Sequence, residues 1–496
     1  MIEIKNEENN PPVFPDSSHI SEYNPNNHEK EIDNELLNIL EKERRHFLYE
    51  VLMNFNQVRP HKVALAIYIL SVMGFYLLII QFLVILRPLS KEFSFTNYEE
   101  ICFGCLIFIC ISLGLLFYEN VLKPEQFRKL SISVSIITTV LCLLIICLRS
   151  HLIFYVIYPL ICFFYSLLYF NNFDLWNDYF FATATNSLRN NILFKKNSIH
   201  SFFSISAVFL CLNNYIFFYQ LDFKKWYSTL TLFLIINIII CVLSFQIEES
   251  ALNLKRNKFT NDEIIEHFQQ QLNKKFKLDE VKTIIFDLYV MIERNENARL
   301  KLVFGSIYKR TTIFIMILIG LLSYIIFGTI FLIPTIIYDQ IFLNPMSFVN
   351  KVFFFFFLSI GGQSLGAVLA YFTYIPRAFI LSFFFSIVSI FSLLGRFHDS
   401  FMFACGGIML FSALVNFSVI YHFTHEIYSE NLGERAYLLF YFTFISSGIF
   451  SVGIIVMFYK FSTVAAVYSV MSAGGIGAIG SFLINKDIKV IKKYNL

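Results

Sequence analysis

Twelve stretches of this chain are each long enough to cross a lipid bilayer and carry almost no charge. They fall near 62–87, 100–118, 129–148, 151–172, 199–219 and 226–246, then 312–336, 347–372, 377–396, 400–422, 436–459 and 462–483. A hydrocarbon core of about 30 Å takes roughly 20 apolar residues as a helix. Inside lipid a backbone finds no water, so a spanning segment must satisfy its own amides and carbonyls, as a helix does. The expectation is an all-α membrane protein. Composition agrees: 56% of the 496 residues are hydrophobic and 15% charged, more apolar surface than a soluble core can hide. Phenylalanine alone supplies 61 residues, so each run is judged on its own length and flanks. The fourth run is interrupted by FNNFDLWND, and its helix is expected to continue to about Asn186.

No signal peptide precedes the first run; residues 1–60 are polar and acidic, so the N-terminus is expected in the cytosol. An even number of spans then returns the C-terminus to the same side. Basic residues flank the expected cytosolic ends about twice as often as the outer ends, as the positive-inside rule requires. The net charge of +3 is thus a topology signal and does not imply nucleic acid. The nine cysteines lie in or beside the apolar runs, which argues against a disulfide framework. Cys102 and Cys105 form a C-x-x-C without a His or carboxylate cluster, read as small apolar packing and not as a metal site.

The runs divide into two sets of six. The expected plan is a cytosolic N-terminal segment at 1–60, a six-helix bundle at 61–247, a cytosolic helical linker at 248–310, a second bundle at 311–484 and a cytosolic tail at 485–496. Within the linker, Thr260 followed by Glu263 reads as a capping box opening a helix at 261–273; a second helix is expected at 279–293. Residues 29–56 carry an amphipathic stripe, with Leu36, Leu37, Leu40, Phe47, Leu48 and Val51 on one face. The SAGGIGAIGS of the twelfth run suits close helix contact; no strand precedes it and no Lys-Ser/Thr follows, so it is not a nucleotide loop.

Local residues add to this pattern. After the sixth run stands Glu248-Glu249-Ser250-Ala251-Leu252-Asn253-Leu254, and the seventh opens with Tyr308, Arg310 and Thr311 and carries Phe327, Gly328 and Pro334. Between the tenth and eleventh runs stand Glu426, Ser429, Gly433 and Arg435; after the fourth comes ATATNSLR, ending at Arg189. Glu119 with Arg128 and Lys129, and Gly366 with Arg377, occupy the loops after the second and eighth runs. In order and spacing these resemble the motifs of the major facilitator superfamily, closest to its organic-ion, synaptic-vesicle-protein-related and sugar-porter branch. After the sixth run both prolines and the arginine of the motif are replaced, Ser429 and Gly433 stand for a proline and an arginine, and ATATNSLR keeps the arginine but lacks the glutamate and proline.

The resemblance implies twelve transmembrane helices in two six-helix bundles. It also implies carboxylates and basic residues that close the cytosolic side, here Glu119, Arg128, Arg189, Glu249, Arg377, Glu426 and Arg435. Glu426, Glu430 and Glu434 recur every four residues and would share one helical face, which wants cations; Arg377 is the first partner considered for Glu426, and a solvated cap is the alternative. Helices around the implied central cavity carry Gln81, Asn171, Asn172, Asp174, Asn213, Asn214, Gln363 and Asn416. Polar side chains are costly in lipid, so each lines the cavity or bonds a neighbouring helix.

The expected function is secondary transport of a small solute by alternating access between the bundles. The alternative is a transport-inactive protein of this fold acting as a receptor or assembly component. No nucleophile, base and orienter occur together, so an enzyme is not expected, nor is a cofactor or metal. The expected partners are a small-molecule solute, a coupling ion and the lipid bilayer, without nucleic acid, the chain acting as a monomer.

Overall fold

A computed structural model describes residues 59–122, 127–148, 150–179, 205–213, 230–247, 249, 253–254, 259–272, 303–305, 308–340, 345–372, 376–397, 401–428 and 430–494. Among these, the helices are α1 (Arg59–Glu92), α2 (Asn97–Phe117), α3 (Phe127–Leu148), α4 (His151–Tyr179), α5 (Leu230–Ser244), α6 (Asn261–Leu272) and α7 (Lys309–Gln340). They continue with α8 (Pro345–Ser359), α9 (Gly362–Phe372), α10 (Arg377–Phe397), α11 (Met402–Ile427), α12 (Glu430–Phe461) and α13 (Thr463–Tyr494). No strand occurs among the described residues. Among the described residues, ten segments are long and apolar enough to cross a membrane, with α8 and α9 counted as one. The protein is a helical, multi-pass membrane protein. The sixth expected run appears as α5, a shorter apolar helix, and of the fifth only 205–213 is described, as helix.

Several boundaries depart from the hydropathy limits. Helix α1 extends beyond 87 to Glu92, and α13 runs on to Tyr494, through most of the expected tail. The expected eighth helix is two: the chain breaks at Ile360–Gly361, where Gly361 has φ +85°. That left-handed conformation suits glycine, which has no Cβ to clash. Helix α2 starts at a capping box, Thr96 with Glu99, that lies outside its apolar run. The Thr260–Glu263 box forms as read from the sequence: the Thr260 amide donates to Glu263 at 2.8 Å and the Glu263 amide to Thr260 Oγ1 at 3.4 Å. Those bonds hold the Glu263 carboxyl below its ordinary range. The N-terminal amphipathic segment and the second linker helix lie outside the described residues.

Helices α1 to α5 pack mainly on one another, as do α7 to α13. The two groups meet where α2 runs along α12 and α1 along α7. Helix α1 is the most enclosed, with 83% of its apolar window buried, against 33% for α3 and 28% for α13. The last two therefore face outward, and their apolar surface belongs to lipid.

Small residues set the α2/α12 spacing. A Cβ at Gly448 would lie 2.3 Å from the Phe108 ring, and one at Gly104 would lie 2.8 Å from Val452. Cys105, on the same face, donates to the Ile449 carbonyl at 3.4 Å and lies 3.3 Å from where a Gly453 Cβ would be. In α13, Gly474 and Gly477 do the same against Ser389 and Phe385 of α10. In lipid, where helices gain little by hiding apolar surface, such close approach supplies much of the association energy.

Gly448→Ala should therefore cost about 1–3 kcal/mol, because the added methyl displaces a packed ring. Thermal unfolding in detergent reads the loss, and adding Phe108→Ala should cost less than the two single losses combined. Additive losses would mean that the ring and the glycine do not share one contact.

Candidate functional site

At the end of the bundle where α1 turns into α2, ionised side chains from both groups converge. Continuation of α1 past its apolar run places Arg87 and Lys91 one turn apart on a single face. Glu100 lies in the first turn of α2, Asp339 at the end of α7, and Tyr459 and Lys460 in the last turn of α12. The Oε2 of Glu100 accepts from Arg87 Nη1 at 3.2 Å, Ser90 Oγ at 3.1 Å and Lys460 Nζ at 2.8 Å. Asp339 accepts from Lys91 Nζ at 2.6 Å, Arg87 Nη2 at 3.4 Å and the Tyr459 hydroxyl at 2.5 Å. Arg87 touches both carboxylates, so the five charges form one network. Lys91 also stands 4.8 Å from the centre of the Tyr338 ring. The Glu100 side chain is 1% exposed, so its charge depends on these partners, one of which is donated across the group boundary.

The opposite end is held more lightly. Helix α2 passes into a wide π-type turn, Tyr118–Leu122, and Glu119 in it accepts from Arg435 Nη1 of α12 at 3.3 Å. Both side chains are more than a quarter exposed. An exposed pair of this kind contributes about 0–1 kcal/mol. Tyr118 donates to Asp174 of α4 at 2.8 Å. Glu249 accepts from the Arg128 backbone amide at 3.2 Å and from Asn253 at 2.7 Å, placing a carboxylate at the start of α3, where a helix favours negative charge.

Three glutamates sharing one face are not what the chain makes of the 425–435 stretch. Helix α11 ends at Ile427, Tyr428 is extended, and α12 begins at Glu430. Glu426 is thus on a different helix from Glu430 and Glu434, and the four-residue spacing is interrupted. The side chains of all three glutamates lie outside the described ones. Arg377 donates to the Ala370 carbonyl at 2.7 Å, capping the end of α9. Tyr428 is buried and its hydroxyl pairs with Thr312 Oγ1 of α7 at 2.7 Å; burial pushes the phenol up from its ordinary value.

Between the two ends the groups meet through rings. Phe75 of α1 stacks on Tyr169 of α4 with centroids 4.6 Å apart, and Tyr169 on Tyr441 of α12 at 5.7 Å. Phe173 of α4 stacks on Tyr437 of α12 at 5.6 Å, and Tyr68 on Trp176 at 5.0 Å. Tyr421 of α11 meets Tyr437 edge-on at 4.6 Å. All of these rings are buried.

The polar residues expected around a cavity divide. Asn171 donates to the Phe127 carbonyl at 3.0 Å and Ser131 at 2.8 Å, and Asn172 to Ser71 at 2.8 Å, so both tie α4 to α3 and α1 inside the first group. Asn237, in the sixth run, likewise bonds Thr139 and the Ser135 carbonyl of α3. Gln81 is fully buried in α1, and Asn213 is half-buried. Gln363 follows the break between α8 and α9, where its carbonyl accepts from Ser418 of α11 at 2.7 Å. Asn416, two residues from Ser418, is fully buried and neither amide atom finds a partner among the described residues. Asn214 and Arg189 lie outside the described residues. No known family model and no curated protein matches this chain.

Glu100, Asp339 and the phenols were not singled out from the sequence. The first two have a legible signal: an acid within one turn of an apolar limit, at the ends whose neighbours carry Arg87, Lys91 and Lys460. Glu100→Gln should leave two enclosed cations short of a countercharge and cost about 3–5 kcal/mol. Glu119→Gln should stay within about 1 kcal/mol. Chemical or thermal unfolding of the purified chain compares them, and equal losses would contradict this difference in burial.

Proposed function

We propose that the chain is a secondary transporter of the twelve-helix, two-bundle kind, working by alternating access with both termini in the cytosol. One observation carries the reading: the two helix groups are joined by ionised side chains only at the two ends of their described interface, with a buried ring layer between. A protein that opens alternately to either side needs closing contacts at each end that can break separately.

The two ends differ in strength. Five charges, one carboxylate of them nearly sealed, hold the α1/α2 end. Among the described residues, one pair, each side chain a little over a quarter exposed, holds the other. From this state the Glu119–Arg435 end opens at the lower cost, and the positive-inside pattern assigns that end to the cytosol. The rival reading, a receptor or assembly component of the same fold, draws on the tightness of the ring layer, which leaves the two groups stacked face to face.

The experiment uses a Phe173→Cys reporter beneath the Glu119–Arg435 pair, in a background lacking the nine native cysteines. Glu119→Gln should raise its labelling several-fold, since about 1 kcal/mol shifts a two-state population by roughly fivefold. Exchanging the charges at both positions should restore it, and Asp339→Asn should lower it by releasing the far end. Labelling indifferent to all three would remove the gate assignment. Topology has its own check: a Gln270→Cys reporter on α6 should be labelled only from the cytosolic side, and labelling from outside in sealed right-side-out vesicles would reverse the assignment.

A further inference from the structure

We infer that the last three turns of α13 form a docking surface for anionic phospholipid headgroups, built on Lys486, Lys489 and Lys493. The inference is independent of the transport reading, because it concerns the bilayer around the chain and not a solute passing through it.

The register of α13 carries the argument. Its apolar span is Thr463–Phe482, yet the helix continues unbroken to Tyr494, about 18 Å further. Within the span, Ile476, Ile479 and Phe482 are each more than half exposed and make the stripe that faces lipid. Val470, Ala473, Gly477 and Ser481 are buried on the other side. A continuous helix preserves these two stripes, which recur every three or four residues. Counting on from 479 and 482, the lipid-facing stripe reaches Lys486, Lys489 and Lys493. Counting on from 477 and 481, the buried stripe reaches Ile484, Ile488 and Ile491. One side of the helix thus changes from apolar to basic where the span ends, while the other stays apolar.

Lysines that serve only to orient a span can lie anywhere around its end. Here three of the four in 483–494 fall on the stripe that meets lipid one turn earlier, and Asp487 is the one acid among those twelve residues. Helix α7 adds to the charge. It runs antiparallel to α13, and a Cβ at Gly480 would lie 3.2 Å from Leu318. Nine residues from that contact, about 13 Å along each helix, stand Lys309 of α7 and Lys489 of α13. Lys309 and its neighbour Arg310 are both exposed. A basic cluster of this size at the end of a membrane helix attracts phosphatidylserine and phosphoinositides. A lipid is also the partner already in place: its acyl chains cover Ile476, Ile479 and Phe482, and its headgroup then lies at the level where the same stripe turns basic.

Enrichment of anionic lipid can be read at the boundary of the stripe. The full chain, in the background lacking the nine native cysteines, carries a bimane on a Phe482→Cys reporter and is placed in phosphatidylcholine vesicles. A small fraction of nitroxide-labelled phosphatidylserine or, separately, the same fraction of nitroxide-labelled phosphatidylcholine serves as quencher. The serine lipid should quench roughly fivefold more strongly, the factor that about one lysine contact supplies. High salt should lower this ratio. Substituting Lys486→Gln, Lys489→Gln and Lys493→Gln together should bring it close to one, whereas Lys492→Gln, off the stripe, should leave most of it. Inorganic phosphate should compete no better than chloride at equal ionic strength. If the reporter background does not fold, native mass spectrometry of the unsubstituted chain and of the triple variant counts the two lipids retained by each. A ratio near one in the parent chain, a ratio unmoved by the triple substitution, an equal loss from Lys492→Gln, or competition specific to phosphate would each overturn the inference.

Discussion

Glu100 is an ionised group placed where lipid-spanning helices converge, and a carboxylate there is stable only while cations surround it. Its neighbours come from two helices besides its own α2: Arg87 and Ser90 of α1, and Lys460 of α12. Asp339 of α7 adds a fourth helix through Arg87. Removing α12 from this arrangement leaves Glu100 short of its closest cation, at 2.8 Å. The position of the second helix group relative to the first is thus fixed by electrostatics at one end. Between that end and the Glu119–Arg435 pair, the described contact is mostly apolar and tolerant of sliding.

That tolerance is visible along α2 and α12. Gly104, Gly448 and Gly453 let the two backbones approach until a valine methyl group, a ring or the Cys105 sulfur crowds the space where a Cβ would stand. Such an interface is built from dispersion contacts, each small and short-ranged, so it can hinge without leaving unpaired polar groups behind. Ionic contacts at the ends and smooth packing between them allow one end to part while the other holds.

The sequence makes some of this legible and hides the rest for identifiable reasons. Apolar runs of bilayer length announced the long helices because length and hydropathy alone decide them, and the Thr260–Glu263 box marked the start of α6 because capping is local. Helix limits were less legible. Hydropathy ends a helix where charge begins, yet α1 continues to Glu92, because Lys91 meets its countercharge across the group boundary. The break at Gly361 had a local signal in its Gly-Gly pair, masked by the apolar residues on both sides. Asn172 and Asn416 read identically in sequence, an amide in an apolar run. Only the fold shows that the first is held by Ser71 and Ser131 while the second has no partner among the described residues. The glutamates around 426–434 looked like one face because spacing implies a face only within a continuous helix, and Tyr428 interrupts it.

If the proposed transport cycle operates, the two unequal ends also set which of its steps is costly. Opening the α1/α2 end requires separating Lys460 from a carboxylate that is 1% exposed, so water must reach that group before the charges part. Among the described contacts, opening the other end separates one pair already in contact with water. The barrier therefore falls mainly on the charge network, and any ligand that drives the cycle must recover that energy by binding the second open form more tightly than the first. The buried rings are the one surface between the ends that both helix groups share in stacked contact, through Tyr169 with Tyr441 and Phe173 with Tyr437.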